Sequence, residues 1–193
     1  MANGRVLTGF SKPYVAEYSA SGNAVTYANG MILARGVSVS LSVEASDDNI
    51  FYADNVSAET APGTFTGGEC SLTVDGLQDA AAKLIYGLPE AGSDGFTHYG
   101  KSANPPYVGI GFVCRYMSGG VESFVPVILP KCRFQAAGLD ANTQEEEIEW
   151  QTQELTATIM RDDTANEDWK WIGAGVATET AAEDKIKTAF SIS

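Results

Sequence analysis

The sequence predicts a mainly β fold: two packed antiparallel sheets, forming a β-sandwich or partial barrel, with one flanking α-helix and a C-terminal helix. Three observations indicate this fold. Most segments alternate apolar and polar residues with period two, which is typical of strands. Only residues 77–88 and the C-terminal segment show helical spacing. Gly, Asn, Asp and Ser separate the alternating segments, as turns between strands do. A run of strands with one central helix favours a sandwich or barrel.

The charge, the apolar runs and the cysteine count exclude several classes of function. The formal charge of −13 argues against a basic nucleic-acid groove, because such grooves neutralise phosphates with Lys and Arg. No apolar run approaches the ~20 residues of a membrane helix, and residues 1–7 do not resemble a secretion signal. We therefore expect a cytosolic product. Its three cysteines lack metal-ligand spacing, and buried free thiols are favoured over a Cys114–Cys132 disulfide, because Cys114 should lie opposite about residue 125.

The first elements are short. Residues 1–12 show no periodicity and are predicted to form an N-terminal arm that orders only against a neighbour. Residues 13–18 predict a strand, residues 19–24 a turn, and Asn29-Gly30 a hairpin. We expect the main β domain to cover residues 13–176.

The clearest strand covers residues 37–46, with an apolar row from Val37 to Ala45 facing the core. The opposite row, Ser38, Ser40 and Ser42, suits solvent or a subunit boundary. Residues 46–68 then predict a long polar loop, and loops of this length are usually functional or mobile. Its candidate contact residues are Asp47, Asp48, Asp54, Glu59, Pro62 and Phe65.

The central part predicts a strand over 69–75 and then a helix over 77–88, with Asp75 as its cap and Gly87 at its end. Two strands follow around a turn at 118–120. Gly109 and Gly111 lie inside the first of them, where glycine allows a bend or the close approach of another segment.

Residues 145–162 combine an acidic ladder with an apolar strand. Ile148 and Trp150 are predicted to face the core, with Glu145, Glu147 and Glu149 on the opposite side. From Leu155 to Ile159 the apolar residues change phase, which predicts a bulge between about Gln151 and Glu154. A terminal helix is expected within residues 177–193.

Candidate catalytic and metal sites are weak. His98, the only histidine, lies on a Gly-rich loop and is predicted to be solvated. Asp162, Asp163, Asn166, Glu167 and Asp168 carry oxygen ligands that calcium could use, but a solvated acidic turn is favoured. Paired carboxylates among the glutamates of 145–149 could act on glycosides, yet no aromatic pocket is evident. No catalytic, cofactor or metal site is predicted, and the chain is not expected to be an enzyme.

Residues 148–162 (IEWQTQELTATIMRD) resemble the major tail proteins of long-tailed, non-contractile bacteriophages of Gram-positive hosts. Residues 112–116 (FVCRY) and 127–134 (VILPKCRF) look like that family's central hairpin. The resemblance covers most of residues 10–165 and departs from the family pattern at Gln153, where a proline is expected.

This resemblance implies a tail-tube subunit that forms stacked, hexameric rings around a negatively charged lumen for DNA. It implies that the 46–68 loop reaches the adjacent ring, and that the serine row and the three glutamates line the lumen or the subunit seam. The implied partners are other copies of the chain, other tail proteins (tape measure, tail tip and terminator) and viral DNA in transit, without specific binding and without a membrane. The implied location is the virion tail, after assembly in the host cytoplasm.

A second interpretation is a carbohydrate- or host-binding β-sandwich of the virion, a decoration or tip module. Trp169 and Trp171 would be its exposed ligand-binding aromatics. An enzyme that uses Glu147 or Glu149 is the third and least favoured interpretation.

Overall fold

The computed structural model describes residues 4–101, 103–136, 138, 143 and 150–192. It confirms a mainly β fold with two antiparallel sheets and two helices. The elements are β1 (Val6–Ser21), β2 (Ala24–Ile32), β3 (Gly36–Ala45), β4 (Asn49–Ala53), β5 (Val56–Ala61), β6 (Phe65–Val74), α1 (Asp79–Tyr86), β7 (Val108–Ser118), β8 (Val121–Phe134), β9 (Gln153–Met160), β10 (Trp171–Ile172) and α2 (Glu179–Ala189). Within the described ranges, neither helix is long and apolar enough to span a bilayer.

The large sheet has the strand order β2-β1-β7-β8-β9-β6-β3, with β10 paired to β8. It curls, because β3 at one end of the order contacts β1 near the other. At this contact Gly36 lies against Phe10: a Cβ on Gly36 would stand 2.2 Å from Phe10 Cε1. The second sheet is the β4–β5 pair alone. Curling lets one sheet enclose a core as a sandwich or partial barrel does.

The main core lies inside this curl. Alternate residues of the central strands point into it, and the inward faces of β6 and β9 contribute Cys70, Leu72 and Val74 and Leu155, Ala157 and Ile159. Cys70, Cys114 and Cys132 are buried and free, as predicted. Burial raises the pKa of the Cys70 thiol to about 12, so it stays protonated at neutral pH and reacts poorly as a nucleophile.

The N-terminal region differs from the sequence-based prediction. Residues 6–12 are not a separate arm: they pair with β7 from Val6 opposite Met117 onward. The first hairpin turns at Gly22-Asn23 and not at Asn29-Gly30. Asn29 has a φ of 52° and lies where the β1–β2 register shifts between Val15 and Glu17. The Asn-Gly pair therefore forms a bulge, which uses the same positive φ that a hairpin turn would use.

Helix α1 begins after Gln78 and ends at Gly87, whose φ of 58° is left-handed. Gly87 is the predicted stop, whereas Asp75 is not the cap. Its Oδ1 accepts the backbone N–H of Arg35 at 2.9 Å, and Oδ2 forms an ion pair with the Arg35 guanidinium at 2.8 Å. Asp75 thus fixes the β2–β3 connection next to β6, because it bonds both groups of Arg35.

Helix α2 covers the outer face of the sheet and forms a second core with β1, β7 and β8. Gly109 and Gly111 make room for it: a Cβ on Gly111 would lie 2.5 Å from Ile186 Cγ2, and one on Gly109 would lie 2.7 Å from Phe190 Cε1. The glycines therefore admit side chains of α2. The C-terminal segment is packed against the β domain through this second core.

Glu183 connects α2 to β1 and is almost buried, at 8% exposure. Its carboxylate accepts a hydrogen bond from the Tyr14 hydroxyl at 2.5 Å and forms ion pairs with Lys187 at 2.9 Å and Lys12 at 3.6 Å. Burial alone would raise the pKa of Glu183. The hydrogen bonds from Tyr14 and Lys187 and the charge of Lys12 outweigh burial, and the pKa lies below its ordinary value.

We expect Glu183→Gln to lower the free energy of unfolding by about 1–2 kcal/mol at pH 7, because hydrogen bonds to charged groups are lost. A carboxyl whose pKa is lower in the folded state stabilises the fold above its unfolded pKa of about 4.3 and loses that contribution as pH falls through the folded value. The gap between wild type and variant should therefore narrow as the pH falls below about 4.3. Urea unfolding at pH 7 and pH 3.5 measures it, and a gap that stays constant would contradict this role.

The described part of the acidic motif, residues 150–162, is not all strand. β9 begins at Gln153 and pairs with β6 without a register shift, and Trp150 to Thr152 are not in a strand. Leu155 and Ile159 are buried, but Trp150 is 88% exposed. The inward orientation predicted for Trp150 is therefore wrong, because the alternation that supported it does not continue from a paired strand. Ile148, Glu145, Glu147 and Glu149 lie outside the described residues.

Candidate assembly surface

The outward side of β3, β6 and β9 is a surface of hydroxyl and carboxylate groups. We call it the hydroxyl–acid face. Its ten residues are Ser38, Ser40, Ser42 and Glu44 of β3, Glu69, Ser71 and Thr73 of β6, and Glu154, Thr156 and Thr158 of β9. None of them is buried.

Strand register brings these residues together. Ser40 lies opposite Ser71, which in turn lies opposite Thr156. The same pairing joins Ser42, Glu69 and Thr158, and on the other side Ser38, Thr73 and Glu154. Directly opposed residues of an antiparallel pair point to the same face. Ser71 Oγ also donates to Glu154 Oε1, so the face is joined laterally by side chains.

Two basic residues of β8 lie at the border of this face. Arg133 lies opposite Thr158 and Lys131 opposite Met160. Lys131 is neutralised by Asp163, with 2.7 Å between Nζ and Oδ2. Arg133 Nη2 donates to the Asn104 side-chain oxygen at 2.9 Å. The ten residues themselves carry three glutamates and no base, so the face repels polyanions.

Among the described residues, the end strands of the large sheet, β2 and β3, each have one edge without a partner strand. Along β3, Val37 and Val43 are 54% and 47% exposed. The apolar residues of this strand were all predicted to face the core, but only Val39 and Leu41 contact it. Val37 and Val43, toward the ends of the strand, do not. Unpaired edges offer backbone hydrogen bonds to another chain.

Strands β4 and β5 form a hairpin that projects from the end of β3. We call residues 49–61 the β4–β5 hairpin. All of its residues are exposed, including Phe51 at 63%, Tyr52 at 62% and Val56 at 66%. Asp54 and Asn55 have positive φ values of 50° and 62°, as a two-residue hairpin turn requires. The predicted long loop is therefore a strand pair with an apolar surface.

The base of the hairpin is firmly held. Ser46 N donates to Thr64 O at 2.9 Å, and Gly63 N donates to Asp48 Oδ1 at 2.8 Å. A Cβ on Gly63 would lie 1.7 Å from Ser46 O, so only glycine fits there. The two segments that join the hairpin to β3 and β6 are thus hydrogen-bonded to each other.

The predicted loop residues fall in different places. Asp47 and Pro62 are exposed at the base, Asp54 is at the tip, and Glu59 lies opposite Phe51. Phe65 is not a loop residue: it starts β6 and stacks on Trp169, with 4.7 Å between ring centroids and 3° between planes. Its inclusion among the loop contacts is wrong, because the aromatic partner that holds it comes from a distant segment.

An open groove of about 870 Å³ lies between β2 and α1. Its lining includes Glu17, Asp79, Lys83 and Glu90. Lys83 forms an ion pair with Glu90, and Glu17 accepts a hydrogen bond from Asn29 at 2.9 Å. Three of these charged side chains, Glu17, Lys83 and Glu90, therefore already have partners within the fold.

The remaining candidate residues have structural partners. His98 is exposed and lies 3.0 Å from Asp94, as expected for a solvated loop histidine. Trp169 and Trp171 are half-buried rather than exposed. Trp169 is covered by Phe65, and Trp171 Nε1 donates to Asp168 Oδ2 at 3.2 Å. In the part of the chain that the structure describes, no three Asp, Glu, His or Cys side chains converge in a metal-binding group.

Sequence reasoning identified one strand of the hydroxyl–acid face and missed the other two. Glu69, Ser71 and Thr73 occupy the outward positions of a strand whose alternation was recognised. So do Glu154, Thr156 and Thr158. The sequence did not reveal that β3, β6 and β9 are adjacent in the sheet, because β9 lies far along the chain from the other two.

No protein-family model matches the chain, and no curated protein matches it significantly. The function is therefore inferred from these surfaces and from the sequence motifs.

Proposed function

We propose that this protein is a non-enzymatic structural subunit of a bacteriophage tail tube. Copies would form stacked, hexameric rings around a negatively charged lumen through which viral DNA passes. The observation that supports this proposal best is the hydroxyl–acid face, a three-strand surface with three carboxylates and no base.

Such a face suits a DNA channel. DNA carries one charge per about 1.7 Å of duplex, and Lys or Arg contacts provide most of its non-specific adhesion. A wall of hydroxyl and carboxylate groups offers no such contacts, and its small side chains leave a smooth surface. DNA would then move past without binding.

The two free sheet edges support ring formation. A head-to-tail contact between unlike surfaces closes into a ring when the rotation between copies allows it. In this proposal the β3 edge of one copy meets a neighbour, which extends the hydroxyl–acid face around the lumen. The apolar residues Val37 and Val43, exposed on this strand, would be covered there.

The β4–β5 hairpin supports contact between rings. A two-stranded hairpin is marginally stable on its own, and this one exposes large apolar side chains from successive positions, Phe51 and Tyr52. Successive strand residues point to opposite faces. Both faces of the hairpin would therefore be covered on assembly, which fits insertion between neighbouring copies.

Electron microscopy of the purified, concentrated protein, alone and with a tail-tip initiator, tests the proposal. Rings or tubes with a central channel are the expected result. A protein that stays monomeric by analytical ultracentrifugation across these conditions would contradict it. The carbohydrate-binding alternative relied on exposed rings at Trp169 and Trp171, but both are half-buried: Phe65 stacks on Trp169, and Trp171 Nε1 bonds Asp168.

A further inference from the structure

The turn that follows β9 contains a buried carboxylate oxygen that no described residue hydrogen-bonds. Asp162 is 4% exposed. Its Oδ1 accepts three hydrogen bonds: from Thr164 N at 3.1 Å, Thr164 Oγ1 at 2.6 Å and Asp168 N at 3.0 Å. Oδ2 is buried and has no hydrogen-bond partner among the residues that the structure describes. An ionised carboxylate only accepts hydrogen bonds, so Oδ2 requires a donor or a cation.

The other acids of this turn already have partners. Asp163 Oδ2 accepts hydrogen bonds from Tyr18 at 2.6 Å and Lys131 at 2.7 Å. The Lys131 bond, followed by the Tyr18 bond, lowers the pKa of Asp163. Glu167 pairs with Arg161 at 2.7 Å, and Asp168 Oδ2 accepts from Trp171. Among the described residues, Asp162 Oδ2 is therefore the one buried carboxylate oxygen without a hydrogen-bond partner.

The surroundings provide room and oxygen ligands. Asp162 lines an open concavity of about 750 Å³, together with Arg161, Asp163, Thr164, Ala165, Glu167 and the β1–β2 turn at Gly22 and Asn23. The Arg161 guanidinium is engaged by Glu167 and by the Phe65 carbonyl oxygen. Asp162, Thr164 and Asn166 follow one another at alternate positions, the spacing of the first three side-chain ligands in a calcium loop. The sixth residue, Glu167, has a φ of 53°, where such loops turn sharply at glycine.

We propose that the Asp162–Asp168 turn binds calcium, with Asp162 Oδ2 as its charged ligand. Neutral oxygens of the turn, including the Thr164 hydroxyl, and water complete the coordination. The twelfth residue of the turn is Gly173, so the bidentate glutamate of a high-affinity loop is missing. The site belongs to the weak class, with Kd of about 0.1–1 mM. This reverses the solvated acidic turn favoured from sequence, and it is independent of the proposed function.

Thermal unfolding of the full chain, with calcium chloride against EDTA, tests the site. If Kd is about 1 mM, 10 mM calcium raises the folding equilibrium constant about 11-fold, which raises Tm by about 3–6 °C at this chain length. Asp162→Asn should abolish the rise, because its amide oxygen retains the hydrogen bonds of Oδ1 while an N–H₂ group replaces Oδ2. Asp184→Asn removes the same charge from an exposed position of α2 and should retain the rise.

No calcium-dependent rise in the wild type, or an equal rise in Asp162→Asn, overturns the proposal. Amide NMR of the wild type gives a second reading that needs no variant. Saturable calcium-induced shifts concentrated in residues 162–168 support the site. Shifts spread over the acidic surface, or none at all, overturn it.

Discussion

Phe51→Asp is expected to prevent tube assembly while leaving the isolated subunit folded. Phe51 is 63% exposed on the β4–β5 hairpin, so its replacement should change the free energy of unfolding by no more than about 0.5 kcal/mol. In the assembled tube the Phe51 side chain would be desolvated. Loss of an aromatic anchor from an interface costs about 2 kcal/mol or more of binding free energy. The critical concentration for assembly should rise at least about 30-fold, as measured by sedimentation of tubes.

Phe96→Asp is the matched control. Phe96 is 69% exposed on the loop between α1 and β7, so the two substitutions make the same chemical change at similarly exposed positions. Phe96→Asp should assemble at nearly the wild-type concentration. Equal losses from both variants, or no loss from Phe51→Asp, would contradict the role of the hairpin.

Phe190→Ala is expected to have the largest effect on stability. Phe190 is fully buried at the end of α2, where its ring lies 4.9 Å from that of Tyr27 and against Gly109. Removing a buried Phe ring costs about 3–5 kcal/mol. For a chain of this length, that corresponds to a fall in Tm of about 6–20 °C, measurable by calorimetry.

Phe96→Ala, at an exposed ring, provides the comparison and should leave Tm almost unchanged. A loss below about 1 kcal/mol for Phe190→Ala would mean that α2 contributes little to the folded subunit. In that case the second core described above would not stabilise the β domain.

The sequence predicts local structure better than it predicts neighbours. Period-two alternation located β3, β6 and β9, and Cys114 lies opposite Val125, as counting through the turn at 118–120 predicts. The hairpin predicted at Asn29-Gly30 was wrong, because a residue with positive φ can form a bulge as well as a hairpin turn. The inward orientation predicted for Trp150 was wrong, because alternation shows which face of a sheet a residue occupies only where the residue belongs to a paired strand.

The candidate site was only partly predictable for the same reason. The serines of β3 were identifiable from one strand, but the carboxylates that join them come from β6 and β9. The burial of Asp162 was not predictable either. An acid in a polar turn is expected to be solvated, and only the packing of the folded chain shows that one of its oxygens is buried. The two glycines of β7 indicated a close approach without identifying α2 as its source.

A cryo-electron microscopy map of assembled tubes tests the central claim most directly. The account predicts that Ser40, Ser71 and Thr156, with Glu69 and Glu154 beside them, line the channel, and that the β4–β5 hairpin is covered by adjacent copies. A channel lined by α2 and the strands it covers, β1, β7 and β8, or a hairpin that remains in solvent, would contradict it.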